Sequence, residues 1–492
     1  MVGMDFRSLL DKPLLYEFSI LDVLFQHDSW VTINEIAAET GFNRKTIIKY
    51  LALIDEYPEL SGLIRKKGAG IQLKMSRIDY TKIKTSILKR SVPFAMIDKI
   101  LKNGSFSMSD ISKETYLSES NIYRYMRKLK KILNSYNIDL VKKRNQYRLI
   151  GDERTIRFYL YLFYWQVYKG VSWPFSEGLR KKVAEDLQIV AQKAGMYLAV
   201  PFENQLTLIV SINYLRYRTR CFIHREDAFE QLYALNETIP AFNQLNLLFT
   251  TNYHMSKDET HLLFFYLLTR PSFYHSWDYA DHFIENHQHD KTEIAKASER
   301  AAKEMKKQFP LLHIKTDADS SFFKSLFSIH YHTMLFKEFP TDISNYKLTP
   351  YIDRNFPQLK KEIVTVSQHL TTTDKNPCFE QEDYLITHYS ILLANILSET
   401  HFEKKIYLKM ETDFPFFIER IVKNQLLNHF KNTYHLIFTE NEQEYFDLLL
   451  TVPGSHVLEQ SIAKEKIIYI TPELTIQTYK TISRKLRTLI QK

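Results

Sequence analysis

Apolar residues recur at helical spacing through most of this chain, and near its start one pattern appears twice. Residues 14–25 are apolar along one face and predict a leading helix, and Ile33, Ile36 and Ala37 predict a short second helix. Gly41 then offers the backbone freedom of a tight turn. Asn43 is placed to cap a third helix whose apolar positions, Ile47, Ile48, Leu51 and Ile54, face inward. Residues 63–73 alternate as strand, turn and strand. The plan then repeats. Residues 97–101 fall in a leading helix, residues 108–115 form a second, and Ser118 caps a third with Ile122, Met126 and Leu129 inward. Residues 138–150 alternate again as a hairpin. Each repeat predicts a winged helix-turn-helix.

The outward positions of both repeats carry the chemistry of nucleic-acid contact. In the first, Arg44, Lys45, Thr46 and Lys49 lie near the start of the third helix, where a recognition helix presents side chains to base edges and phosphates. Arg65, Lys66 and Lys67 sit at the tip of its wing. The second offers Ser120, Asn121, Tyr123, Arg124, Arg127 and Lys128 from the helix, and Lys142, Lys143 and Arg144 from the wing. Charge follows the same division. Residues 1–157 hold 28 Lys/Arg against 18 Asp/Glu, whereas the remaining 335 residues are close to neutral within a chain of net charge +9. Such an excess favours a polyanionic partner, bound in a salt-dependent way through counterion release. Double-stranded DNA is the expected partner, with the second, more basic recognition helix dominating.

At 492 residues the chain exceeds a single core, and roughly three to five domains follow from length. With 11 Gly and 15 Pro, the composition favours long helices. Residues 155–400 are almost wholly helical by periodicity, without a phosphate-binding glycine loop, nucleophile elbow or zinc-protease helix. Cys221 and Cys378 stand far apart in no metal or redox spacing, which fits a reducing compartment. No apolar run has signal-peptide or membrane-spanning length, so a cytoplasmic location without membrane contact is expected. His282, His287 and His289, with Asp281 and Asp290, read as a polar linker rather than a metal site, and no metal or cofactor is expected. After residue 403 strands and helices alternate: strands at 405–410, 434–438, 446–452 and 467–470, a helix at 416–430, and a closing helix over about 472–490. This predicts a small parallel α/β unit.

The order of two winged helices, two helical regions and an α/β tail resembles the Mga/AtxA family of virulence regulators of Gram-positive bacteria. The resemblance implies a mainly α, multidomain fold. Its expected limits are 1–77 and 78–157 for the winged helices, the second of Mga type. The all-helical phosphotransferase-system regulation domains (PRDs) would occupy 158–288 and 289–402, and an enzyme IIB-like α/β domain 403–492. It also implies a transcriptional activator, not an enzyme, modulated by phosphorylation of histidines through a phosphocarrier protein. Tyr384-Leu-Ile-Thr-His388 is similar to one family histidine motif, and the helix around His330 to another. In the first regulatory domain Ser211 and Tyr266 occupy histidine positions, leaving His224 and His261 as the nearest imidazoles. His388, His330 and His224 are therefore the phosphohistidine candidates.

In catalytic IIB components a phosphate-carrying cysteine follows the first strand. Here Met410-Glu-Thr-Asp413 occupies that loop, and its acidic side chains oppose a phosphate dianion. Homodimerisation through this domain is the expected role. Two alternatives remain at this stage: an RNA-binding antiterminator with the same regulatory domains, and a phosphotransferase component. Antiterminators of that kind begin with a β-rich RNA-binding domain, whereas this chain begins with helices.

Overall fold

The computed structural model describes residues 6–491 apart from 28, 58–61, 67, 310–319, 397–403, 432, 440–444 and 454–461. The chain divides into two compact units, residues 1–298 with 317–346, and residues 299–316 with 347–492.

In the first unit the two reading heads are built alike. Head one comprises α1 (Lys12–Gln26), α2 (Ile33–Thr40), α3 (Arg44–Asp55) and the antiparallel pair β1 (Leu63–Lys66) and β2 (Gly70–Leu73). Head two comprises α4 (Arg77–Lys89), α5 (Val92–Asn103), α6 (Met108–Thr115), α7 (Glu119–Asn134) and the antiparallel pair β3 (Asp139–Lys143) and β4 (Gln146–Ile150). Both second helices start with a reciprocal capping box, Thr32 with Glu35 and Ser107 with Asp110, which satisfies two otherwise orphaned backbone N–H groups. Both end on a residue in the left-handed region, Gly41 at φ 74° and Tyr116 at φ 55°.

A helical region follows with α8 (Glu153–Tyr168), α9 (Glu177–Lys193), α10 (Val200–Arg218), α11 (Glu230–Glu237), α12 (Pro240–Tyr253), α13 (Lys257–Leu268), α14 (Pro271–His275), α15 (Ala280–His289), α16 (Glu293–Gln308) and α17 (Ser321–Leu335). From Phe158 to Trp165, helix α8 is apolar and buried on every side, as a central helix must be. Phe158 on it stacks on Phe336 at 4.3 Å and on Tyr266 at 5.8 Å between ring centroids.

Two expected limits do not coincide with element ends. Helix α8 runs unbroken across residue 157, because Asp152 caps it and the apolar run continues from Ile156. The linker expected around residue 288 is instead α15, whose His287 is wholly buried.

The second unit contains residues 299–308 of α16, α18 (Thr349–Asn355), α19 (Pro357–Thr373) and α20 (Glu382–Ile396), then an α/β domain. There, β5 (Lys405–Glu411), β6 (His435–Phe438), β7 (Leu448–Thr451) and β8 (Ile467–Tyr469) form a parallel sheet in the order β6-β5-β7-β8. Helix α21 (Phe416–Phe430) contributes Val422 and Leu426 to its core, and the closing helix Ile476–Gln491 contributes Ile482 and Leu486. Every residue of β7 is buried, as an interior strand of a parallel sheet requires. The closing helix starts at Ile476, four residues beyond the expected Pro472.

Candidate nucleic-acid interface

Head two presents its basic side chains on one solvent face. Ile122, Tyr125, Met126, Leu129 and Leu133 anchor α7 inward. That leaves Ser120, Arg124, Arg127 and Lys128 exposed, with Asn121 and Tyr123 half-buried beside them. The caps differ from expectation in one detail. Ser118 occupies the N-cap position, but its hydroxyl bonds Ser120 Oγ at 3.1 Å and accepts from Asn121 Nδ2 at 3.2 Å, so it makes no bond to the helix backbone. Three polar side chains are thus grouped at the end of α7 that would enter a groove.

The wing is held against this helix by aromatic contacts. Phe106 stacks on Tyr147 at 5.2 Å, and the Tyr147 hydroxyl donates to Tyr123 Oη at 3.2 Å. Burial, followed by that hydrogen bond, pushes the Tyr147 hydroxyl up to about 12, so it stays protonated. Arg144 and Asn145 both have positive φ, 48° and 63°, which closes the two-residue hairpin in the sense that suits strand twist. Lys142, Lys143 and Arg144 are all exposed at its tip. Among the described residues none of Arg124, Arg127, Lys128, Lys142, Lys143 and Arg144 takes part in a salt bridge, so their charge is available to a polyanion. Arg148, exposed on β4, adds to this surface. The alternation of the strand would have revealed it.

Head one is weaker by the same measure. Asn43 caps α3 as expected, its Oδ1 accepting from Thr46 N at 2.8 Å, and Arg44, Lys45 and Lys49 are exposed. Thr46 is half-buried and Lys66 exposed, while Lys67 lies outside the described residues. Ile48 corrects the sequence reading. It is 49% exposed on the outer face of α3, and Tyr50 takes the inward position. Arg65 pairs with Asp55, tying the wing to its own helix. Residues 1–76 carry 9 Lys/Arg against 10 Asp/Glu, and residues 77–157 carry 19 against 8. The basic excess belongs to head two.

The three histidine candidates occupy different environments. His330 on α17 is fully buried, with Nδ1 2.8 Å from Ser298 Oγ, and burial lowers it to about 3. As a phosphate acceptor it would require α17 to open. His388 on α20 is half-buried, donates its Nδ1–H to the Tyr384 carbonyl (2.9 Å), and stacks on the Tyr384 ring at 3.7 Å. His224 is exposed in the segment between α10 and α11. Ser211 and Tyr266 are both buried. The remaining histidine group is dispersed. His287 points inward to Thr292 at 2.9 Å, whereas His282 and His289 face solvent. No group of three or more metal-ligating side chains occurs among the described residues.

In the α/β domain Met410 and Glu411 still belong to β5, so the loop expected at 410–413 begins only at Thr412; it carries Asp413, and Glu419 on α21 lies against it through Thr412 at 3.3 Å. Lys409 neutralises Glu411 at 2.6 Å and Lys423 neutralises Glu419 at 2.7 Å. No helix among the described residues is long and apolar enough to cross a membrane.

Two helix-turn-helix units with hairpin wings, one bearing a strongly basic face, place the protein in the multidomain, mainly helical helix-turn-helix class. Residues 77–164 match the Mga helix-turn-helix domain. The chain is 22% identical over 209 residues to the capsule synthesis positive regulator AcpA of Bacillus anthracis, covering 42% of this chain and 43% of that protein. It is 22% identical over 205 residues to AcpB of the same organism, with 41% and 42% covered. Over 168 residues it is 23% identical to the anthrax toxin expression trans-acting positive regulator of Bacillus anthracis, with 34% of each covered. The matches thus span less than half the length of these relatives. Over these stretches the chain is similar to the Mga helix-turn-helix domain and to these positive regulators.

Proposed function

We propose that this protein is a DNA-binding transcriptional regulator that acts positively, with head two as its principal reader of DNA. The observation that carries this reading is the unpaired basic face formed by α7 and the β3–β4 tip, within the segment that matches the Mga domain. The names of the relatives as positive regulators support the sign of its action. Head one contributes a secondary contact through Arg44, Lys45 and Lys49.

The helical regions serve as PRD-like sensors, with His388 as the histidine best placed for a phosphocarrier protein. A phosphate there adds charge beside Tyr384 and can repack α20 on its neighbours. The α/β domain is IIB-like in layout, and its acidic loop suits self-association better than phosphate transfer. Phe416, Phe417 and Ile421 lie 73%, 73% and 50% exposed on α21, an apolar stripe suited to a homodimer contact.

The test is a titration of duplex DNA and hairpin RNA with the full chain at several salt concentrations. Wild type binds duplex DNA, and Arg124→Glu with Arg127→Glu abolishes the binding. Unchanged affinity and salt slope in the double variant would overturn the assignment, and preference for the RNA would favour an antiterminator.

A further inference from the structure

Counted from their caps, Asn43 and Ser118, the two recognition helices share one inward pattern. Ile47, Tyr50, Leu51 and Ile54 of α3 correspond to Ile122, Tyr125, Met126 and Leu129 of α7, and all eight are buried. The common frame makes the outward positions comparable one by one. Where α7 places Tyr123, Arg127 and Lys128, α3 places Ile48, Ala52 and Leu53. A hydroxyl and two cations in head two are thus replaced by apolar groups in head one. Ile48 and Leu53 are the large exposed residues of this set, at 49% and 37%.

Ile48 stands among cations. Arg44 precedes it by one turn, and Lys45 and Lys49 lie on the adjoining row of the same helix face. All three are exposed, and none takes part in a salt bridge among the described residues. Tyr123, at the matching place in head two, is covered in part by the wing through its hydrogen bond with Tyr147. Ile48 instead remains half in water, near the start of the helix, where recognition helices meet base edges. An apolar side chain there gains nothing from phosphate oxygens or from the donors and acceptors of the bases. The apolar group that base edges present in the major groove is the 5-methyl of thymine. Isoleucine suits such a contact, since β-branching leaves it few rotamers to lose.

We propose that Ile48 reads the 5-methyl group of a thymine in the major groove, giving head one a thymine preference on DNA that head two holds by charge. This role rests on the proposed binding of duplex DNA. The three cations around Ile48 complement phosphates along the groove, which favours DNA over a protein partner. Head two then supplies affinity and salt dependence, and head one supplies discrimination at A·T pairs.

The experiment selects duplexes from a random-sequence pool with the full chain, then remakes a selected duplex with deoxyuridine for each thymine in turn. Uracil keeps the hydrogen-bonding edge and lacks only the methyl. At one or two positions the exchange should weaken wild-type binding about fourfold, the worth of one buried methyl group. Ile48→Ala, outside the core, should fold as the wild type does and bind the thymine and uracil duplexes equally. Arg124→Glu with Arg127→Glu should abolish the binding of both. Selection without an enriched thymine, wild-type affinity indifferent to uracil, or the same uracil loss in Ile48→Ala would overturn the methyl readout and leave DNA binding standing. Absence of any duplex binding by the wild type would overturn both. A lower dimer fraction of Ile48→Ala in sedimentation, with uracil sensitivity retained, would overturn the readout in favour of a protein contact.

Discussion

Arg157 on α8 and Glu259 on α13 form a two-pronged ion pair that is wholly out of water, 102 residues apart in sequence, with Nη2 to Oε1 at 3.0 Å. Further bonds fix both groups. Arg157 also bonds the Cys221 carbonyl at 2.7 Å, and Glu259 accepts from Ile223 N at 3.0 Å. Glu153 then links Arg157 to Arg216, with bonds of 3.0 and 2.8 Å from the two Nε atoms. Removing one partner leaves the other charged and buried. Glu259→Ala should therefore cost about 3–5 kcal/mol, whereas Arg157→Met combined with Glu259→Leu should recover much of that loss. Urea unfolding of the three proteins measures both, and additive losses in the double variant would contradict the pairing argument.

The two helix-turn-helix turns predict opposite effects of exchanging their left-handed residues. A Cβ on Gly41 would meet nothing within 4 Å, so Gly41→Ala costs only the backbone penalty, about 1 kcal/mol. Tyr116 already bears that penalty while 92% exposed, and Tyr116→Gly should stabilise head two by a similar amount. Chemical denaturation gives both signs directly.

Acid should weaken the fold through two buried imidazoles. Burial lowers His287 and His330 from 6.5 to about 3, so both are neutral in the folded chain at neutral pH. The unfolded chain takes up protons at these sites below pH 6.5 and the folded chain does not. Their contribution is therefore complete above pH 6.5 and is lost as pH falls towards 3, by up to about 1.4 kcal/mol per pH unit for each ring. Urea midpoints between pH 7.5 and 5 should decline, and His287→Phe should make the decline shallower.

His388 should respond to charge rather than to loss of the ring alone. If a phosphate there governs activity, His388→Asp and His388→Ala should move reporter transcription or the dimer fraction in opposite directions. Equal behaviour of the two would leave His388 as an ordinary polar residue on a helix.

Self-association should depend on the exposed end of α21. Phe417→Asp with Ile421→Asp removes apolar surface on adjacent turns without touching Val422 or Leu426 in the core. Sedimentation should show the wild type as a dimer and the double variant as a monomer at the same concentration.

Local features were the most legible in the sequence. Gly41, Asn43, the wing alternation and the strand–helix order of residues 405–470 depend on neighbours a few residues apart, and the structure has each of them near its expected place. Ile48 misled because periodicity alone gives a stripe of apolar positions and not its edge, and Tyr50 competes for the same inward slot. The histidines of 282–289 misled in another way. Two exposed rings gave the segment a polar look, while His287 faced a core that only the fold brings together. Burial of His330 could not be read either, since Ser298 and the aromatic residues around α17 come from distant stretches.

The Arg157–Glu259 pair also sets an order in time. The heads close through caps, turns and hairpins whose partners emerge from the ribosome almost together, whereas Arg157 must wait for 102 further residues before its carboxylate exists. At about 5–20 residues per second that interval is roughly 5–20 s. A nascent chain thus holds finished reading heads ahead of a helix α8 whose Arg157 has met Glu153 but not yet Glu259.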